Sequence, residues 1–171
     1  HTRAAPSAAV AFCAGLAREG LRPFLHAQAS GLTRGAYEVI LTQLAAACLP
    51  VRLIAFDGGL SHEGGVGAQA IDDMSLMGGL PQMSVVEPGD ALELAACPAL
   101  IDDLKGPVYT RVTLGPAPKL FESSGRPQPL DEPRALKTGA EVLLISAGRC
   151  TASMIFAMVK VLPEPVTPSR T

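Results

Sequence analysis

The sequence has few aromatic residues, little charge and no long hydrophobic run. Tryptophan is absent and aromatics make up 4% of the 171 residues, which argues against a surface that stacks nucleic-acid bases. Lysine and arginine number 14 against 16 acidic residues, so the near-neutral charge predicts no binding to nucleic acid or anionic membranes. No apolar run approaches the roughly 20 residues that span a bilayer. Hydrophobic residues still make up 48% of the chain, which predicts a folded core.

The cysteines are too widely separated to indicate a metal site. Cys13, Cys48, Cys97 and Cys150 each lie in an apolar stretch, without any Cys-x-x-Cys pair or Cys/His cluster. This pattern predicts buried, reduced thiols and a cytoplasmic protein. The apolar stretch near the amino terminus is Ala-rich and ends in Ala-Arg-Glu-Gly, which is more typical of a core helix than of a signal peptide.

Helical and strand patterns alternate along the first two thirds of the chain. The predicted helices cover 7–18, 35–48, 70–78 and 91–104, and the second has Tyr37, Ile40, Leu41 and Leu44 on one apolar face. The predicted strands cover 21–27, 51–56, the start of 83–90 and 106–112. The first of these strands is expected to be short and buried, with a loop at 26–34 after it. Ser7 and Asp90 are the predicted helix caps, and Gly20 is the predicted stop of the first helix. Such alternation implies an α/β fold, a three-layer sandwich in which helices cover a mostly parallel sheet.

A proline-rich stretch predicts a division of the chain into domains. Residues 1–112 are predicted to form one α/β domain. Residues 113–138 carry five prolines and show little periodicity, which is typical of an interdomain linker. Residues 139–171 then read as one strand, a glycine turn and one helix, the start of a second α/β domain that is left incomplete.

Five segments share their order and spacing with one known family. They read A-V-A-F-C-A-G-L-A-R-E-G-L-R-P-F at 9–24, R-G-A-Y-E-V-I-L from 34, the glycine-rich loop 57–69, M-G-G-L-P-Q-M-S-V-V-E-P-G-D-A-L-E at 77–93 and G-P-V-Y-T-R at 106–111. In these segments the chain resembles the pyrimidine-binding domain of transketolase-like thiamine diphosphate enzymes. Within this family, the segments resemble those of the split transketolase small subunit and of deoxyxylulose-phosphate synthase.

The resemblance implies a transferase of carbohydrate metabolism that moves a two-carbon ketol or related acyl unit of a sugar or keto substrate. It also implies a dimeric or larger assembly in which thiamine diphosphate lies between this domain and a diphosphate-binding domain. That second domain holds magnesium and carries the motif G-D-G…N, which is not in this sequence. A partner subunit, in a homo- or hetero-oligomer, is therefore expected to supply it.

The resemblance also places the expected cofactor contacts, and two of them depart from the family. Pro6, nine residues before Gly15, stands where the family has the Glu that activates the aminopyrimidine ring. Leu32, or Gly31 if the local insertion falls elsewhere, stands where an aromatic side chain stacks on that ring. Tyr37 matches a family tyrosine on the next helix, although a core-facing aromatic is the simpler interpretation.

The loop H-E-G-G-V-G-A-Q at 62–69 aligns with the transketolase loop G-E-D-G-P-T-H-Q. Glu63, Gly65 and Gln69 match, whereas Gly64, Ala68 and the preceding Phe56 stand where the family has an Asp and two His. The candidate catalytic residues are Asp57, His62 and Glu63, and the candidate cofactor-binding residues are Leu32, Tyr37 and Gln69.

Other polar residues and other functions remain open. His26 and His62 are also consistent with solvated or structural histidines, and Arg111 with a buried or interface ion pair. Because a Glu, an aromatic and a His are replaced together, a catalytically degenerate homologue with a structural or regulatory role is the alternative to an enzyme. A small-molecule module unrelated to thiamine is a third, which depends only on the loop after the strand 51–56.

Overall fold

The computed structural model describes residues 5–60, 62–113, 115, 119, 145, 146 and 148. In chain order the elements are α1 (Pro6–Arg18), β1 (Phe24–Gln28), α2 (Ala29–Gly35), α3 (Tyr37–Val39) with a π-helical segment directly after it (Ile40–Ala45), β2 (Arg52–Phe56), α4 (Asp73–Gly78), β3 (Ser84–Val86), α5 (Ala91–Asp102) and β4 (Val108–Val112).

The four strands form one parallel sheet in the order β1-β2-β4-β3. Leu53 in β2 lies opposite Leu25 of β1 on one side and Tyr109 of β4 on the other. Because side chains alternate between the two faces along a strand, these three lie on the same face of the sheet. Because all strands run the same way, their carboxyl ends meet at a single edge of the sheet. The loops that carry the candidate residues begin at that edge.

Helices cover both faces of the sheet, which confirms the predicted three-layer α/β class. On one face, α1, α2, the π-helical segment and α4 enclose the larger core, which includes Val10, Leu32, Ile40, Leu44, Leu53, Met77 and Tyr109. On the other face, Cys97 and Ile101 of α5 pack on Val108, with Ile54 and Val86 beside them. The predicted apolar side of the second helix is correct, since Ile40 and Leu44 are fully buried.

The strand predicted at 21–27 is present as β1, but its predicted burial and the loop predicted after it are wrong. Residues 21–27 were expected to form a buried strand, but β1 is an edge strand and its Phe24 is 43% exposed. The segment 26–34 was expected to be a loop after that strand, whereas α2 occupies 29–35. This helix has seven residues and contains Gly31 and Gly35, so it shows too short an apolar repeat to predict a helix.

The helix caps follow the expectation at one helix and not at the other. Asp90 caps α5, because its carboxylate accepts hydrogen bonds at 2.9 Å from the backbone N–H groups of Leu92 and Glu93. Ser7 does not cap α1, which begins after Ala5. The Ser7 hydroxyl instead donates to the carbonyl oxygen of Gly35 in α2.

The cysteine prediction is correct for two of the thiols. Cys13 and Cys97 are buried, and burial raises the pKa of both thiols. Cys48 is exposed, since it lies in the turn after the π-helical segment rather than inside a helix. Cys150 lies outside the described residues.

The predicted linker at 113–138 and the predicted second domain at 139–171 lie almost entirely outside the described residues and stay predictions. Within the described part of the chain, no helix combines the length and the apolar character needed to cross a membrane.

Candidate functional site

Three charged side chains lie at the carboxyl ends of β2, β3 and β4. Asp57 directly follows β2, Glu87 directly follows β3, and Arg111 is the penultimate residue of β4. Asp57 has φ of 58°, a left-handed conformation that costs a non-glycine residue energy and often marks a functional turn. The sheet thus places the predicted Asp57 at the edge where parallel α/β sheets hold their ligands.

A buried polar cluster lies beneath this edge and is made by Asp73, Glu87, Tyr109 and Arg111. Asp73 is completely buried at the start of α4, and its Oδ2 atom accepts a 2.9 Å hydrogen bond from the Tyr109 hydroxyl. The same oxygen lies 3.3 Å from Nε of Arg111. The Arg111 Nη1 atom lies 3.7 Å from Oε1 of Glu87, so the guanidinium is held between two carboxylates.

Burial also fixes the protonation of the tyrosine in this cluster. The pKa of Tyr109 is strongly raised, first because the phenol is desolvated and second because the Asp73 carboxylate would repel a phenolate. The phenol therefore stays neutral and donates to Asp73 throughout the physiological range. The contacts of Arg111 with the Asp73 and Glu87 carboxylates agree with the ion-pair role predicted for it.

The turn after β2 folds tightly over the Arg111 guanidinium. A Cβ atom on Gly58 would lie 2.5 Å from Nε of Arg111, and one on Gly59 would overlap Nη2. Gly59 has φ of 73°, and its N–H group donates to the Ala70 carbonyl at 2.7 Å. Only glycine fits both the backbone conformation and the close approach at this position.

We predict that Gly59→Ala destabilises the chain more than Gly65→Ala does. Both glycines have positive φ, but an added Cβ on Gly65 would meet nothing within 4 Å. Gly65→Ala should therefore cost only the left-handed conformation, about 1–2 kcal/mol. Gly59→Ala should cost about 1–3 kcal/mol more, because it displaces Arg111 from Asp73. Urea unfolding of both variants tests this, and equal losses of stability would contradict the packing described at Gly59.

The glycine-rich loop is closed by its own side chains. The backbone N–H of Gly64 donates to Nδ1 of His62 at 2.8 Å, which assigns the ring proton of a neutral His62 to Nε2. The Gln69 amide donates to the His62 carbonyl at 3.1 Å. The predicted His62 and Gln69 are thus brought together, while Glu63 is exposed in the same loop.

Arg34, at the end of α2, ties this loop to the helical layer. Its Nη1 atom donates to the Val66 carbonyl at 2.7 Å, and its Nη2 atom lies 3.1 Å from Oδ1 of Asp72. The contact joins α2, which carries Leu32, to the loop that carries His62 and Gln69.

The two residues expected to contact the cofactor ring lie in the helical layer. Leu32 is completely buried in the larger core, and Tyr37 is half-buried against it. Their cofactor-binding role stays a prediction, and in this structure Leu32 exposes no surface to a ligand.

The start of α1 is packed against α2 at the position of the family's activating Glu. A Cβ atom added to Gly31 would lie 3.3 Å from Cγ of Pro6, and one added to Gly35 would lie 3.5 Å from it. With the Ser7 hydroxyl bonded to Gly35, the described residues here offer no group that ionises. They do not fit an aminopyrimidine ring that requires an activating carboxylate.

Sequence reasoning did not identify Asp73, Glu87 or Arg34 as site residues. Asp73 and Glu87 lie 38 and 24 residues before Arg111, and both the sheet order and the packing of α4 bring them to it. Across the described ranges, His, Cys, Asp and Glu side chains form no group of three or more that could hold a metal ion.

Comparison with known proteins identifies relatives over most of the chain. No protein-family model matches it. The chain is 33% identical over 138 residues to the transketolase family protein y4mN of Sinorhizobium fredii, covering 81% of this chain and 40% of that protein. It is 30% identical over 149 residues to the 6-deoxy-6-sulfo-D-fructose transketolase subunit SqwH of a Clostridium species, covering 86% of this chain and 46% of that one. The chain thus spans less than half the length of these curated relatives.

Solved structures agree with these relatives. A split gene transketolase, described as an inactive beta4 tetramer, matches with a TM-score of 0.80 and 30% identity over 92% of this chain and 51% of that one. Transketolase from Campylobacter jejuni matches with a TM-score of 0.58 and 17% identity over 63% of this chain and 17% of that one, a likeness of fold alone. The chain is therefore a homologue of transketolase-family proteins, split transketolase subunits among them.

Proposed function

We propose that this chain is the pyrimidine-side subunit of a split, transketolase-like enzyme and works with a partner subunit that carries the diphosphate-binding domain. The assembly would transfer a two-carbon ketol or related acyl unit between sugar or keto substrates. The observation that carries the proposal is the similarity to a split gene transketolase chain, at 30% identity over 92% of this chain. That relative is described as a tetramer of β chains, which supports self-association of this chain as well.

The hydrogen-bonded residues at the carboxyl edge of the sheet support a role of this edge in binding a ligand. Asp57, the closed loop around His62 and the Arg111 cluster lie at one end of β2, β3 and β4, and their hydrogen bonds are formed within the described part of the chain. If thiamine diphosphate binds, it supplies the carbanion chemistry, and its diphosphate and magnesium would be held by the partner. The packing at Pro6 does not fit activation of the cofactor's aminopyrimidine ring.

A specific observation favours a second function. Pro6 packs against two glycines, and Leu32 is fully buried, so two family contacts to the aminopyrimidine ring are missing together. In this second proposal the chain is a catalytically degenerate homologue that serves as a structural or regulatory subunit.

Calorimetric titration separates the two proposals. The chain is mixed with a subunit from the same genome that carries the G-D-G…N motif, and thiamine diphosphate with magnesium is titrated into the complex and into each chain alone. The enzyme proposal predicts saturable heat and ketol transfer with the complex only. Stable complex formation without cofactor heat would instead support the degenerate subunit, and failure to form a complex would contradict both.

The variant Pro6→Glu tests the missing carboxylate directly. Pro6 is half-buried and its Cγ atom packs beside Gly31 and Gly35, so a glutamate at position 6 would place its side chain next to α2. For the enzyme proposal we expect turnover in the complex to rise at least about tenfold, within the usual contribution of a positioned general acid or base. Ser7→Glu, one residue further along the helix, is the matched control. A Pro6→Glu complex that binds no cofactor would show that other residues abolish the pocket.

A further inference from the structure

The middle of the glycine-rich loop, the segment 62–69, cannot be ordered by burial. Residues 63–67 are exposed, and three of the eight residues in the segment are glycines. Glycine loses more conformational freedom on ordering than any other residue. The base of the loop is closed by the N–H group of Gly59, which donates to the Ala70 carbonyl at 2.7 Å. That contact fixes where the loop begins and ends, and it leaves the path of 62–69 to be set by other bonds.

Arg34 of α2 supplies hydrogen bonds that hold this segment against the helical layer. Its Nη1 atom donates to the Val66 carbonyl at 2.7 Å and to the Gly67 carbonyl at 3.3 Å. Its Nη2 atom lies 3.1 Å from Oδ1 of Asp72. The two carbonyls belong to the exposed tip of the loop, whereas Asp72 lies directly before α4. One planar guanidinium therefore joins the tip of the loop to the start of the next helix, a task that suits a rigid fork of donors.

Hydrogen bonds inside the loop extend this restraint to His62. The carbonyl of Gly65 accepts from the N–H groups of Ala68 and Gln69 at 3.0 and 2.9 Å, so the tip is a closed turn. The side-chain amide of Gln69 donates to the His62 carbonyl at 3.1 Å. The N–H group of Gly64 donates to Nδ1 of His62 at 2.8 Å. The backbone and the ring of His62 are thus both bonded to the turn.

The imidazole of His62 is held in one place and in one tautomer. A Cβ atom added to Gly64 would lie 2.9 Å from Cε1 and from Nδ1 of the ring, so the ring packs closely on Gly64. Because Nδ1 accepts a hydrogen bond, the proton of the neutral ring is on Nε2. The Nε2–H group is then the remaining polar group of the ring, and it is a donor.

We infer that Arg34 is a positioning residue, which holds the loop in the conformation where His62 presents an Nε2–H donor at the carboxyl edge of the sheet. The inference deepens the proposed function and rests on it for the acceptor, a carbonyl or hydroxyl oxygen of the sugar or keto substrate. A neutral imidazole can donate to such an oxygen. A loop that is ordered before binding also spares the substrate the entropy cost of ordering it.

Carbethoxylation of histidines by diethyl pyrocarbonate, followed by mass spectrometry, tests the inference on the full chain alone. The reagent attacks the ring nitrogen that carries a lone pair, and in His62 that lone pair accepts from Gly64. His62 should therefore react about fivefold more slowly than the exposed His26, within the range of one hydrogen bond. In Arg34→Met the two rates should agree within about twofold, because the loop is released.

Two further variants make the reactivity test specific. Arg22→Met is the matched control, since Arg22 makes the same kind of contacts on another surface, with the carbonyl and the carboxylate of Asp102 at 3.0 and 2.9 Å. It should leave the His62 rate unchanged. Arg34→Lys keeps the charge without the planar fork and should give an intermediate rate. A His62 rate that is the same in the wild-type chain and in both Arg34 variants would overturn the inference.

Amide hydrogen exchange, measured by NMR, separates a positioning role from a general loss of stability. In Arg34→Met the N–H groups of Gly64 and Gln69 should exchange at least about fivefold faster, whereas the N–H group of Gly59 at the loop base should keep its protection. Equal acceleration at the three amides would overturn the positioning role, because Arg34 would then stabilise the whole region. Unchanged exchange at Gly64 would overturn it as well.

These measurements need neither the partner subunit nor the cofactor, so the failure of this inference and that of the proposed function are distinguishable. Slow, Arg34-dependent carbethoxylation of His62 would support the positioning role even if the calorimetric titration gave no complex and contradicted the proposed function. Equal reactivity of His62 with and without Arg34 would overturn the positioning role even if the complex bound the cofactor.

Discussion

Replacing Asp73 with alanine is expected to destabilise the chain by about 3–5 kcal/mol, the cost of removing one partner from a buried ion pair. Asp73 is fully buried, and the same carboxylate oxygen receives the Tyr109 hydroxyl at 2.9 Å and lies 3.3 Å from Arg111 Nε. The substitution leaves a buried hydroxyl without its acceptor. Of the contacts given for the largely buried Arg111 guanidinium, those with the Glu87 carboxylate and the Met74 sulfur remain. Equilibrium unfolding in urea measures the loss.

Two variants show which part of the interaction matters. Asp72→Ala is the matched control, because the neighbouring carboxylate pairs with Arg34 at 3.1 Å but is 47% exposed. We expect it to cost about 0–1 kcal/mol, as is usual for exposed ion pairs. Asp73→Asn keeps an acceptor for Tyr109 while it removes the charge, and should fall between the two. Equal effects of Asp72→Ala and Asp73→Ala would refute a stabilising role for the buried cluster.

Replacing Arg52 with methionine is expected to cost roughly 3–5 kcal/mol. Arg52 is fully buried in β2, and its guanidinium donates to the carbonyl oxygens of Gly106 at 2.7 Å, Asp102 at 3.0 Å and Leu104 at 2.7 Å. Hydrogen bonds to a charged group contribute about 1.5–3 kcal/mol each. The methionine variant no longer buries a charge, so the lost desolvation penalty offsets part of that sum. The substitution removes the groups that satisfy the end of α5 and the turn before β4.

Arg22→Met is the control for this second prediction. Arg22 also contacts Asp102, with a 2.9 Å ion pair, but its side chain is 53% exposed. Its loss should cost about 0–1 kcal/mol. Arg52→Lys retains the charge without the planar fork and should recover only part of the stability. If thermal unfolding shows equal shifts for Arg22→Met and Arg52→Met, the carbonyl contacts of Arg52 contribute nothing measurable.

The strongest sequence patterns predicted their elements correctly. The apolar run at 51–56 became β2, and the pattern of Asp90 followed by an apolar stretch became a capped helix, because both signals are local. The short α2 and the exposure of β1 were not predicted. A helix of seven residues has no clear periodicity, and a strand's place at the edge depends on sheet order rather than on its own residues.

The candidate site, like the fold, was predicted from the sequence only in part. The sequence predicted Asp57 after a strand and His62 and Gln69 in one loop, and it has Pro6 where the resemblance implies an activating carboxylate. It could not show that Pro6 packs on Gly31 and Gly35, since that contact joins α1 to a helix that was not predicted.

The sequence by itself determined the fold class and the transketolase likeness, because hydrophobic periodicity and motif spacing are written along the chain. Only the tertiary structure decided which polar residues meet. Asp73, Tyr109 and Arg111 come together because β4 lies between β2 and β3 with α4 packed on the same face. A small share of the charged residues is buried, Arg52 and Asp73 completely, while α1 carries one charge at Arg18 and leaves Phe12 exposed. Burial and proximity arise from packing between distant segments, which no local pattern encodes.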